Sequence, residues 1–336
     1  MGQLSPASLT ADGVPFVRTP DENFADLADF PFRQNYLQVQ GLRMHYVDEG
    51  PRNAPTVLLL HGMPTWSYLN RILIARLVAA GFRCVAPDHM GFGRSDKPTE
   101  PGWYSIQRHR DVLAGLIAAL DLRGVTLCVQ DWGGPIGLAQ AAADPDRFSR
   151  LVVMNTWLHH DGYEYTPGIR RWQAFWRPGG MLVESIPART SLGWMMTSGT
   201  RRMPLGKVGA MARGEAPPQI DAEAEAVRRA YDAPFAGLGE SGLTGPRRFP
   251  LCIPIDDGDS DEARTQAAHF DTLLGWRKPI HFVWGGEDDV FVEAWGRAWA
   301  ARYPQATFDL IPQAGHFLQD QCGDEVAGFI LDRISA

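Results

Sequence analysis

Six short runs rich in Val, Leu and Ile, each separated from the next by a stretch with helical spacing, constrain this chain more than any other feature. They are TVLLL (56–60), FRCVAP (82–87), VTLCVQ (125–130), RLVVMN (150–155), PIHFVW (279–284) and TFDLI (307–311). A strand that is apolar at every position must be covered on both faces, and helices returning between such strands cover a parallel sheet in that way. Ahead of these runs, YLQVQGLRMHYVDEG (36–50) alternates around Gly41 and predicts a β-hairpin. The expected fold class is therefore α/β, a mostly parallel twisted sheet with helices on both faces. The rhythm stops between 156 and 235, where Trp, Arg, Gly, Pro and Met concentrate and DAEAEAVRRAYDAPF has a helical period. This stretch is expected to form a helical cap inserted into a core domain made of 21–155 and 236–336. Residues 1–20 are expected to be a loosely held N-terminal arm.

The balance of residues narrows the function classes. With 45% hydrophobic and 21% charged residues, the 336-residue chain can build a large core. A net charge of −7, without clustered Lys and Arg, argues against a nucleic-acid partner. The pairs Arg170-Arg171, Arg201-Arg202, Arg228-Arg229 and Arg247-Arg248 are scattered and read as solvated helix and loop faces. Cysteines at 84, 128, 252 and 322 have no CxxC spacing, which points to a reducing compartment. The N-terminal stretch lacks the charged and apolar regions of a secretory signal, and Pro6 breaks a myristoylation pattern. No run approaches a membrane span. A cytoplasmic location is expected. The acidic loop DDGDSDE (256–262) places acids at 257, 259 and 261, but Glu262 and Ala268 stand where a calcium loop needs Gly and Glu. It reads as a solvated helix start, and no metal is expected.

In open α/β sheets, ligands gather beyond the carboxyl ends of the strands. Four such ends carry chemistry: HGMPTWSY after TVLLL, DWGG after VTLCVQ, GGEDD after PIHFVW, and PQAGHF after TFDLI. Asp131, an acid among Glu287, Asp288 and Asp289, and His316 thus follow the order nucleophile, acid, histidine. Asp131 could simply cap a helix, but Gly133 and Gly134 suit a sharp strand-to-helix turn that a cap does not require. No serine occupies that turn, so a serine esterase is not expected.

VQDWGG, HGMPTWSYLNR, PDHMGFGRSDKP, AYDAPF and AGHF together resemble the haloalkane dehalogenases of the α/β-hydrolase fold. The likeness runs from RTPDENF near residue 18 to the C-terminal helix. It is greatest to the subfamily whose catalytic acid follows the post-cap strand and whose cap supplies a second halide-binding tryptophan. The resemblance implies Asp131 as nucleophile, His316 as base and Asp288 as its partner, with oxyanion-hole N–H groups from Met63 and Trp132. Trp132 and a cap tryptophan, Trp172 with Trp176 as the alternative, would bind halide. Two positions depart from the pattern: Met63 stands where Glu is expected, and Val129 replaces the glycine that opens many such turns.

An aspartate is ionised at neutral pH and can displace halide from carbon directly, and an indole N–H can only donate to the departing anion. The implied reaction converts a halogenated alkane to alcohol, halide and a proton, without cofactor, in a monomer or small homo-oligomer. An epoxide hydrolase would use the same aspartate with a tyrosine acid, for which Tyr163, Tyr165 and Tyr231 are available. A non-catalytic ligand-binding protein on the same fold would be expected to lose a triad member.

Overall fold

The computed structural model describes residues 8–199, 210–211 and 213–334. Eight strands form the main sheet: β1 (Asn35–Val39), β2 (Leu42–Glu49), β3 (Thr56–Leu60), β4 (Arg83–Pro87), β5 (Val125–Asp131), β6 (Phe148–Thr156), β7 (Ile280–Gly285) and β8 (Thr307–Ile311). Their spatial order is β8-β7-β6-β5-β3-β4-β2-β1. Only β2 runs antiparallel to its neighbours β1 and β4; the pairs from β4 through β8 are parallel. The expected hairpin is β1–β2, and its turn residues Gln40 and Gly41 both have positive φ, +52° and +79°. Two such residues give the turn whose twist matches that of the flanking strands.

The continuous apolar runs are explained by what lies on each face. Leu58, Leu60, Leu127, Val129, Leu151 and Val153 join one buried cluster with Leu113, Leu116 and Ile136. Their alternating neighbours Val57, Leu59, Cys128 and Val152 join the other, with Leu73, Ile74, Leu77 and Ile330. Both faces are buried, so a polar residue there is costly unless it is bonded, and each large apolar side chain so buried contributes about 1.5–3 kcal/mol. The covering helices include α1 (Arg71–Ala79), α2 (Ile106–Ala119) and α3 (Gly133–Ala143). Cys84 and Cys128 are buried as free thiols in this core.

Between β6 and β7 the described residues form helices and no strand, among them α4 (Pro167–Trp176), α5 (Met181–Ser185), α6 (Leu192–Gly199), α7 (Ala222–Asp232) and α8 (Asp261–Leu274). Two of them are pinned to the strand ends. Thr166 caps α4 by accepting from Ile169 N at 3.2 Å, and its hydroxyl donates to Val290 O at 2.9 Å. Trp66 Nε1 donates to Ala230 O of α7 at 3.1 Å. The acidic loop leads into α8, where Ser260 accepts from Ala263 N and Glu262 pairs with Arg110 at 2.7 Å.

Residues 8–20, the described part of the expected N-terminal arm, are tied down rather than loosely held. Residues 15–17 pair antiparallel with Lys97–Pro98, Arg18 makes two hydrogen bonds to Asp96 at 2.7 and 2.8 Å, and Thr19 donates to Pro234 O at 2.6 Å. Asp96 is fully buried, and a buried carboxylate needs a cationic partner. Arg18 supplies it and ties the segment down. Residues 1–7 and Arg201-Arg202 lie outside the described residues. The other basic pairs contribute ion pairs, Arg170 with Asp256, Arg171 with Asp289 and Arg228 with Asp232. No described helix is long and apolar enough to cross a membrane.

Candidate active site

Strand β5 ends at Asp131, whose φ of +49° is one that residues with a side chain seldom adopt. The turn lifts the carboxylate above the sheet, and α3 begins two residues later. Its first-turn N–H groups and the positive end of its dipole favour an anion there. The turn closes because glycine stands where neighbours come near: a Cβ at Gly134 would lie 2.0 Å from Thr156 Oγ1. Val129, in place of the usual glycine, is accommodated from the helix side. A Cβ at Gly137 would lie 2.4 Å from Leu60 Cδ1 and 2.9 Å from Val129 Cγ1, so the space that position 129 consumes is returned at 137.

The loop after β3 supplies the first contact to the nucleophile candidate. Met63 N donates to Asp131 Oδ1 at 2.7 Å. This loop is held by His61, fully buried, which donates from Nδ1 to Gly62 O at 2.8 Å and accepts from His89 N at 2.9 Å. Burial lowers its pKa against the pull of Asp88, so the ring works as a neutral tie rather than a charge. Asp88, at the end of β4, accepts from His45 Nδ1, Ser67 N and Arg94 N, each at 2.8 Å, and organises the neighbouring loops.

Of the three acids after β7, the structure brings Asp288 to the histidine. His316 Nδ1 lies 2.9 Å from Asp288 Oδ2, while Asp288 Oδ1 accepts from Val290 N and Phe291 N at 2.8 and 3.0 Å. Glu287 and Asp289 also line the cavity, Asp289 as an exposed side chain that pairs with Arg171 at 3.2 Å. On its other side, His316 Nε2 lies 3.6 Å from Asp131 Oδ2. Burial alone would lower the basicity of His316, but Asp288 and Asp131 outweigh it and push its pKa up to about 10.

Asp131 and His316 open into a cavity of about 480 Å³ whose wall is largely apolar, with Met63, Trp172, Phe175, Leu182 and Met195 among its residues. Trp172 is thus on the wall, edge-to-face with Trp176 at 5.6 Å. Trp176 is buried behind it, its indole N–H without a partner. Trp132 is buried and packs edge-to-face against Trp157 and Phe249, each at 4.9 Å. Neither Trp132 nor any of the three tyrosines available to an epoxide hydrolase is among the described wall residues. Tyr165 meets His159, Tyr231 donates to Asp320 in the opposite apolar cluster, and Tyr163 packs on Trp295. No group of three or more His, Cys, Asp or Glu suited to a metal occurs among the described residues.

Two residues near His316 escaped the sequence reading. Asn155 ends the run RLVVMN, so the strand-end rule could have flagged it. Its amide donates to Gly315 O at 2.9 Å and His316 O at 3.3 Å, and its Oδ1 accepts from Gly285 N at 2.9 Å. Gln130, hidden inside an apolar strand, donates to His316 O at 3.2 Å and lies 3.3 Å from His316 Nε2.

Comparison with known proteins agrees with this architecture. Residues 55–321 match the α/β hydrolase fold family. A haloalkane dehalogenase of Psychrobacter cryohalolentis is 38% identical over 327 residues, 95% of this chain and 97% of that one. The tetrameric haloalkane dehalogenase structure from Paraglaciecola agarilytica NO2 superposes with a TM-score of 0.79 at 34% identity, covering 95% of this chain and 99% of that one. A cis-3-alkyl-4-alkyloxetan-2-one decarboxylase of Shewanella oneidensis is 30% identical over 88% of this chain and 86% of its own. With an aspartate at the turn, a histidine–aspartate pair facing it and this degree of likeness along almost its whole length, the chain belongs to the haloalkane dehalogenase family of the α/β-hydrolase fold.

Proposed function

We propose that the chain hydrolyses haloalkanes through an ester formed on Asp131. The observation that carries this reading is the unequal setting of the two carboxylate oxygens. Oδ1 is held by the Met63 N–H, whereas Oδ2 faces the His316 side. Oδ2 attacks the carbon bearing the halogen, the C–X bond breaks with its electron pair on the halide, and an alkyl ester of Asp131 remains. No base is needed for this step, because the nucleophile is already ionised. The indole N–H groups of Trp132 and Trp172 receive the halide.

Esterification removes the negative charge beside Nε2, so His316 loses one of the two carboxylates that hold its proton and becomes a base. It then takes a proton from water, whose oxygen attacks the ester carbonyl carbon. Charge developing on Oδ1 falls on the N–H groups of Met63 and Trp132. Collapse of the intermediate expels the alcohol, restores the carboxylate and leaves one proton on His316 for solvent. The helices over the sheet act as a cap that shapes the cavity, and its volume suits substrates well beyond a two-carbon dihalide.

Incubation with 1-bromobutane and 1,2-dibromoethane is expected to release halide. A His316→Gln variant is expected to release about one halide per active site and then stop, with the alkyl mass retained on the peptide carrying Asp131. Failure of wild type to release halide from any haloalkane, together with turnover of an epoxide or an oxetan-2-one, would overturn the reading.

A further inference from the structure

The strand VTLCVQD carries no amide or charged side chain before its residue 130, which is wholly buried, a position where an apolar side chain would satisfy the fold. Gln130 sits there instead and leaves its Oε1 buried without a partner. A buried unpaired acceptor destabilises the fold, so what the other end of the amide does becomes the question. Its NH2 group donates to His316 O at 3.2 Å and lies 3.3 Å from His316 Nε2, nearer than the 3.6 Å separating that nitrogen from Asp131. The backbone carbonyl of His316 can only accept, which fixes the amide with its nitrogen toward the histidine.

The consequence concerns the proton on His316. Asp288 accepts from Nδ1, so in the neutral ring Nε2 carries the lone pair, which is the state an amide N–H can meet. A protonated Nε2 would present hydrogen to hydrogen. The charged groups around the ring otherwise pull the opposite way. Asp131 and Asp288 touch it, Glu287 and Asp289 share its cavity, and Arg171 on the wall pairs with Asp289. We propose that Gln130 is a positioning residue for the hydrolytic half of the reaction, orienting the His316 ring and disfavouring a proton on Nε2 once Asp131 is esterified, against the carboxylates that remain. The inference rests on the two-step reading above, and its effect is confined to the second step, because attack by Asp131 needs no base.

Single-turnover experiments with 1-bromobutane on Gln130→Met and Gln130→Glu separate the steps. Halide release is expected to change little in either variant. Ester hydrolysis in Gln130→Met is expected to slow about tenfold at neutral pH, with its midpoint displaced about one pH unit upward. Gln130→Glu keeps the shape and adds a carboxylate beside Nε2, so its displacement is expected to be larger. Equal slowing of both steps, or an unmoved pH midpoint in both variants, would overturn the inference. Absence of an alkyl adduct on the Asp131 peptide of the His316→Gln variant, with wild type active, would remove the two-step reading itself and this inference with it.

Discussion

The floor and the wall of the cavity are built on different principles. On the floor, each reactive group is held by several bonds from rigid elements. Met63 N fixes Asp131, two backbone N–H groups fix one oxygen of Asp288, and the amides of Asn155 and Gln130 fix the His316 backbone. The wall contributed by α4, α5 and α6 is made of Trp172, Phe175, Met181, Leu182 and Met195, with an exposed Arg171–Asp289 ion pair tying α4 to the β7 loop. Dispersion contacts among flexible apolar side chains adjust to a guest, whereas multiply bonded carboxylates do not. On the proposed mechanism, the difference puts nucleophile and base on the floor, and leaves to the wall the choice of substrate and one contact to the departing halide.

Substitutions can break this contrast. The largest effect is expected for Asp131→Asn, with halide release falling by more than about 10⁴-fold because the nucleophile is lost. Next, Asp288→Asn is expected to lower turnover by roughly 10²- to 10⁴-fold through loss of the imidazole orientation, while Asp289→Asn changes it less than about twofold. Steady-state kinetics of the pair, made side by side, checks that only the acid bonded to His316 matters. On the wall, Trp172→Phe is expected to raise the halide dissociation constant about tenfold, the value of one lost hydrogen bond, as measured by halide-dependent fluorescence. The smallest effect is expected for Arg171→Met, within about threefold in kcat/KM, since exposed ion pairs contribute little. A wall substitution that abolished ester formation, or a floor substitution that merely changed substrate preference, would dissolve the distinction.

Legibility in the sequence follows the same division. Asp131, His316 and the acid cluster stand at strand ends, where a polar residue interrupts an apolar run and is conspicuous for that reason. The sheet was legible because both of its faces are buried, so its strands contain few polar residues to confuse the pattern. Gln130 and Asn155 were harder, since one lies within a run and the other reads as ordinary punctuation. The tethered segment around Arg18 was missed because its partner, Asp96, is seventy-eight positions away and nothing local signals a buried carboxylate there.

The sequence by itself determined which groups could react, because ionised oxygen, imidazole and indole are properties of side chains, and it determined the layered sheet, because periodicity is local. Only the tertiary structure decided which of three adjacent acids meets His316, which tryptophan of α4 faces the cavity, and that a glycine at 137 makes room for Val129. Those choices depend on a turn of a few tens of degrees or a gap of an ångström between segments far apart in the chain, and such distances exist only once the chain has packed.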